Sequence, residues 1–199
     1  MTASMDTDTR STRLKGLTTG THDRLDRSIM AGDPFADVEN YAKFLKVQYL
    51  FHRDIGTLYD VPELAALLPD LEGRRRFDKV VLDLSDVGAD APEADGAPRF
   101  VKGATVDLPT ALGWLYVAEG SNLGAAFLLK FAAKLGLDAT KGARHLAPAD
   151  EGRGLHWRTF TAALDAIDLT AEEEARVTAG AGAAFTRVHG LVRRFFDGV

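Results

Sequence analysis

The chain has 199 residues, of which 46% are hydrophobic and 27% charged, with no cysteine and a formal net charge of −5. That length and apolar content suit a single domain with a sizeable core. The absence of thiols excludes disulfides, thiolate catalysis and Cys-ligated metal, and the acidic balance argues against nucleic acid as a partner.

Residues 1–10, MTASMDTDTR, read as a disordered tail without the apolar stretch of a signal peptide, and the domain is expected over 11–199. The longest apolar runs, such as Leu123 to Leu129, fall far short of the roughly 20 residues of a membrane span, and the absence of cysteine makes a cytoplasmic, reduced setting the expectation. Leu14, Leu17, Leu25 and Ile29 recur at helical spacing and stop near Gly32-Asp33-Pro34. A second helical pattern runs from Val38 to Tyr59 and carries Tyr41, Phe44, Phe51 and Ile55. Pro62 opens a short helix and Pro69 closes it. A charged segment, Leu71 to Leu84, precedes the one long loop candidate, Gly88 to Pro98.

Asp107-Leu-Pro109 is a helix start, with Asp as N-cap and proline in the first turn. This helix, GWLYVAEGSNLGAAFLLKFAAKLG at its centre, should run to about Leu135, where Gly136 stops it. Leu155 to Ile167 reads as a helix, and Thr170-Ala-Glu-Glu173 is a capping box for a last helix reaching about Phe196. With no period-2 strand pattern, repeat or linker, the fold class is an all-α single domain of about seven helices.

Gly120 and Gly124 lie four apart inside the long helix, each costing roughly 1 kcal/mol relative to alanine. Two readings stand: close packing against another helix, or a flat, bulky ligand lying on bare backbone. On the first helix, His22 and Lys15 are two turns apart, about 10 Å along the axis. They are a hydrogen-bonded histidine and a solvated lysine, or a metal ligand and a cation meeting the carboxylate of the same ligand. Gln48 and His52 share a face of an otherwise aromatic helix, as a polar stripe or as part of a site. Arg74 to Arg76 read as a solvated charge run, Asp23 to Arg27 as surface ion pairs, and His145, His156 and His189 as structural or exposed. No phosphate loop, HExxH, GxSxG or dinucleotide fingerprint is present.

Taken together, GWLYVAEGSNLGAAFLLK, LKGLTTGTHDRLD, DPFADVENYAKFLKVQYLFHRDIGTLY and GARHLAP resemble the bacterial haem oxygenases over roughly residues 11–197. The resemblance implies a helical domain with haem b, at once substrate and cofactor, sandwiched between a proximal and a distal helix. By match of motif, His22 is the axial iron ligand, and Lys15 and Tyr116 contact propionates. Gly120 and Gly124 form the distal wall, and Ser121 stands within it. Gln48, His52 and Arg76 belong to a distal, water-linked network; Glu119 carries no role in this reading.

The implied reaction opens haem with O2 and electrons to biliverdin, carbon monoxide and ferrous iron. Lys15 favours the α-meso carbon, since Lys130 is followed by Phe131 and not by a second lysine. Nothing in the chain binds flavin or nicotinamide, so an external donor, a ferredoxin or flavoprotein reductase, is expected, and a monomer. The alternatives are a haem carrier or sensor without turnover, a thiaminase-like enzyme, disfavoured by the missing cysteine, and a ligand-free helical interaction protein.

Overall fold

The computed structural model describes residues 9–196. It contains α1 (Arg10–Ala31), α2 (Val38–Ile55), α3 (Pro62–Leu67), α4 (Phe77–Asp86), α5 (Leu108–Lys134), α6 (Arg153–Ala166) and α7 (Ala171–Phe196), with no β-strand among the described residues. Short 3-10 turns lie at Gly56–Asp60, Glu72–Arg74 and Arg144–Leu146. Most of the expected tail, residues 1–8, lies outside the described residues, but Thr9 and Arg10 do not behave as tail. The Thr9 side chain accepts from the Thr12 amide as N-cap of α1. Arg10 is buried, donating to the Leu164 and Ile167 carbonyls and pairing with Glu174 at 2.7 Å.

The helix starts follow from local chemistry. Asp107 caps α5 by accepting from the Thr110 amide at 3.2 Å. Thr170 and Glu173 close their capping box at 2.8 and 3.3 Å. The pattern expected as one helix from Val38 to Tyr59 breaks at Ile55, where the chain tightens into the Gly56–Asp60 turn. The charged segment after Leu71 becomes a 3-10 turn followed by α4.

Helix α7 is the hub, packing against α5, α1 and α2. Its contact with α5 is backbone on backbone. A methyl group on Gly113 would strike the Val177 carbonyl, and one on Gly180 would strike the Thr110 carbonyl. The glycines that let two helices meet are therefore Gly113 and Gly180. The core around this seam includes Tyr41, Phe44, Leu112 and Leu115, all 2% exposed or less, and Phe51 stacked on Trp114 at 6.0 Å. Both α1 and α5 pack on α6 and α7 but make little direct contact with each other. They stand as two walls over a common floor.

A cleft between two helices and a buried polar cluster

On the α5 wall, no helix packs closely on Gly120 and Gly124. A methyl group on Gly120 would meet only the edge of Trp157, at 3.6 Å, and one on Gly124 would meet nothing within 4 Å. The close-packing reading therefore does not hold for Gly124, while Gly120 touches α6 only through the Trp157 ring edge. The flanking apolar residues are uncovered too, Leu123 being 41% and Phe127 67% exposed. Bare backbone bordered by exposed apolar side chains is a surface suited to a flat apolar ligand.

The opposing wall is one unbroken helix through Lys15, Thr18 and His22. The Thr18 hydroxyl donates to the Leu14 carbonyl at 2.7 Å within this helix, and Tyr116 of α5 packs on Trp157 of α6 at 5.5 Å. One turn further along each chain stand His22 and Gly120. The His22 side chain is 55% exposed, with Phe185 edge-on to its ring at 6.2 Å. Its Nδ1 lies 3.2 Å from Asp26 Oδ2. A carboxylate there draws the ring proton to Nδ1 and leaves the Nε2 lone pair for a metal. Asp26, assigned above to surface ion pairs, is thus a partner of the candidate ligand; its i, i+4 spacing from His22 is the signal that could have found it. Lys15 is exposed and forms no ion pair among the described residues. Ser121 is exposed, but its hydroxyl donates to the Ala118 carbonyl at 2.7 Å.

The remaining candidates lie on the buried side of α5. His52 is 3% exposed, and burial, then the His145 and Arg76 charges, push its pKa down to about 3. Arg76 is buried and donates to the His145 carbonyl at 2.6 Å and the Ala147 carbonyl at 3.2 Å. Gln48, one turn before His52, is half-buried at the margin of this group. His145, set aside in the sequence, belongs here. Its Nδ1 is 2.8 Å from Asp83 Oδ2, and that carboxylate also accepts from the His145 amide at 2.9 Å. Although burial pushes Asp83 up, these bonds hold its carboxyl below the usual range, so Nδ1 carries the proton and Nε2 is an acceptor.

Four buried nitrogens near this face have no protein partner: His52 Nδ1, Arg76 Nε, His145 Nε2 and Asn122 Nδ2. Buried polar atoms left unpaired by protein are the usual seats of ordered water.

Arg74 to Arg76 are no solvated run. Arg74 is as buried as Arg76, and only Arg75 reaches the surface, pairing with Asp60. Arg74 Nη1 lies 2.7 Å from Glu119 Oε2, giving Glu119 a place that the sequence did not. His156, also read as structural or exposed, is buried with its Nε2 3.4 Å from the same oxygen.

Comparison with known proteins agrees over nearly the whole chain. The family model described as Heme oxygenase matches residues 8–194. The chain is 46% identical over 187 residues to the heme oxygenase PigA of Pseudomonas aeruginosa, covering 94% of this chain and 93% of that one. It is also similar to a structure of the NO- and CO-bound heme oxygenase of Neisseria meningitidis. That match has a TM-score of 0.88 and 44% identity, covering 95% of this chain and 92% of the other.

Proposed function

The chain belongs to the haem oxygenase family, an oxidoreductase that binds haem and degrades it, and on that premise we propose how its own residues do the work. Bound haem supplies the iron that takes up dioxygen and the macrocycle that is opened to biliverdin, carbon monoxide and ferrous iron. His22 would hold the iron through its free ring nitrogen, with Asp26 beside the other. Lys15 and Tyr116 meet the propionates, and Ser121 lies along the opposite wall. The backbone of Gly120 and Gly124 would lie close over the other face of the haem, where a side chain would intrude, and would restrict which part of the macrocycle is reached. Gln48, His52 and Arg76 hold the waters that carry protons to that face; neutral His52 can both donate and accept.

The anchoring of propionates by Lys15, with Phe131 after Lys130, selects the α-meso carbon. Electrons come from a separate ferredoxin or flavoprotein reductase, for which Lys15 at the cleft edge offers positive charge. The enzyme acts as a cytoplasmic monomer; among the described residues no helix is long and apolar enough to cross a membrane.

One observation carries this reading. An exposed histidine with Nδ1 beside a carboxylate on α1, and a pair of glycines on α5 of which Gly124 has no neighbour and Gly120 only the Trp157 edge, are the two halves of a haem site. The test is an aerobic absorbance time course of the protein with one equivalent of haemin after adding an electron donor. Decay of the Soret band with growth of biliverdin absorbance is expected, with the α isomer on chromatography. A persistent ferrous haem spectrum would make the protein a carrier or sensor.

A further inference from the structure

Glu119 is the one acidic residue of α5 and immediately precedes Gly120. Successive helical side chains point about 100° apart, so Glu119 reaches into the protein while Gly120 faces the cleft. Its carboxylate and the Arg74 guanidinium are each 2% exposed and 2.7 Å apart. Arg74 is itself immobilised, donating to the Pro69 carbonyl at 3.1 Å and the His156 carbonyl at 3.3 Å, with its guanidinium over the Phe160 ring. His156 of α6 bonds Glu151 through Nδ1 at 2.7 Å, while its buried Nε2 stands 3.4 Å from the Glu119 carboxylate, at ion-pair distance and without a hydrogen bond to it. Tyr59 and Arg76 are the other groups whose charge bears on Glu119.

A buried carboxylate is costly unless firmly paired, and this one sits where α5 is weakest, since two glycines offer no side chains by which packing could hold the wall. We propose that Glu119, held by Arg74 and His156, is a positioning residue that fixes where the Gly120 backbone stands over a haem in the cleft. The proposal rests on the haem-binding reading above. The clamp is strongest with His156 cationic, a state that Glu119 and then Glu151 favour by raising the imidazole pKa against burial and the Arg74 charge. It weakens as pH rises through that raised value.

The test uses Glu119→Gln, which keeps the volume and removes the charge, and His156→Gln, which leaves Arg74 in place. In haem-free Glu119→Gln, hydrogen exchange measured by mass spectrometry should quicken roughly tenfold across residues 117–125, as expected for loss of a charged hydrogen bond, and stay unchanged in α7. Loaded with haemin, the same variant should keep the wild-type Soret maximum yet release at least about three times the wild-type share of minor biliverdin isomers. The wild-type isomer ratio should drift as pH rises from about 6 to about 8, and His156→Gln should flatten that drift.

A merely structural salt bridge would lower Tm and leave isomer ratio and pH profile alone; that result in both variants overturns the proposal. Should Glu119→Gln fail to fold, a wild-type isomer ratio in His156→Gln together with a flat wild-type pH profile overturns it equally. Absence of biliverdin from the wild type would instead remove the functional reading, while the haem-free exchange measurement still decides whether Glu119 holds the wall.

Discussion

At the scale of single residues, the cleft inverts the usual relation between conservative packing and stability. Gly124 has no neighbour for a methyl group to strike, so the helix bears the full glycine penalty for nothing that the protein itself places there. Gly124→Ala should therefore stabilise the haem-free protein by about 1 kcal/mol, raising Tm by about 2–4 °C. The same methyl should slow biliverdin formation or broaden its isomers. Calorimetry and turnover on one sample check both signs; a lower haem-free Tm would mean that something packs on the glycines after all. The motif around these glycines was legible in the sequence because glycines inside a strong helix ask for an explanation. The choice between helix and ligand was not, because it depends on what stands opposite. Asp26 was hidden among alternating charges, and Glu119 has a partner 45 residues away that no local pattern reveals.

At the scale of elements, the helices were readable where caps and periodicity agree. Asp107 and Thr170 make the bonds that their sequence contexts promise. The break after Ile55 was not readable, since the apolar spacing continues through Leu58 and Tyr59, both buried. Nor was the α5–α7 seam, because Gly180 of α7 shows no partner until the fold brings it against Thr110. Here the glycine argument runs the other way. Gly113→Ala and Gly180→Ala force a methyl into backbone and should each cost about 1–3 kcal/mol, seen as a lowered urea midpoint. A variant as stable as wild type would show that the seam can open without penalty. The arginine triplet failed as a local reading for a related reason: burial of Arg74 and Arg76 is imposed by carbonyls and a carboxylate from distant elements.

At the scale of the whole molecule, the buried histidines tie stability to pH in opposed senses. His52 and His145 are held neutral, chiefly by burial. The unfolded chain takes up their protons as pH falls through about 6.5, so the stability they allow is present above that value and lost below it. His52, its pKa pushed down to about 3, contributes a slope of about 1.4 kcal/mol per pH unit below about 6.5, and His145 acts in the same direction. His156, raised by Glu119, acts in the other direction, its contribution being present at low pH and lost as pH rises. Replacing His52 by Gln should flatten the fall of haem-free stability between about pH 6.5 and 5 by roughly that slope; an unchanged profile would mean that His52 is not buried neutral. Ligand binding should add to stability by mass action, and it does so only if the two walls close on the same molecule. The most direct measurement is a haemin titration of wild type and His22→Ala, following the Soret band and Tm together. The account predicts a sharp one-to-one Soret shift and a raised Tm in the wild type. In His22→Ala, the 55% exposed side chain should be lost with little change in haem-free Tm, but with loss of the wild-type Soret spectrum. A variant with the wild-type spectrum and the wild-type rise in Tm would contradict the account, because the iron would then be held by something other than His22.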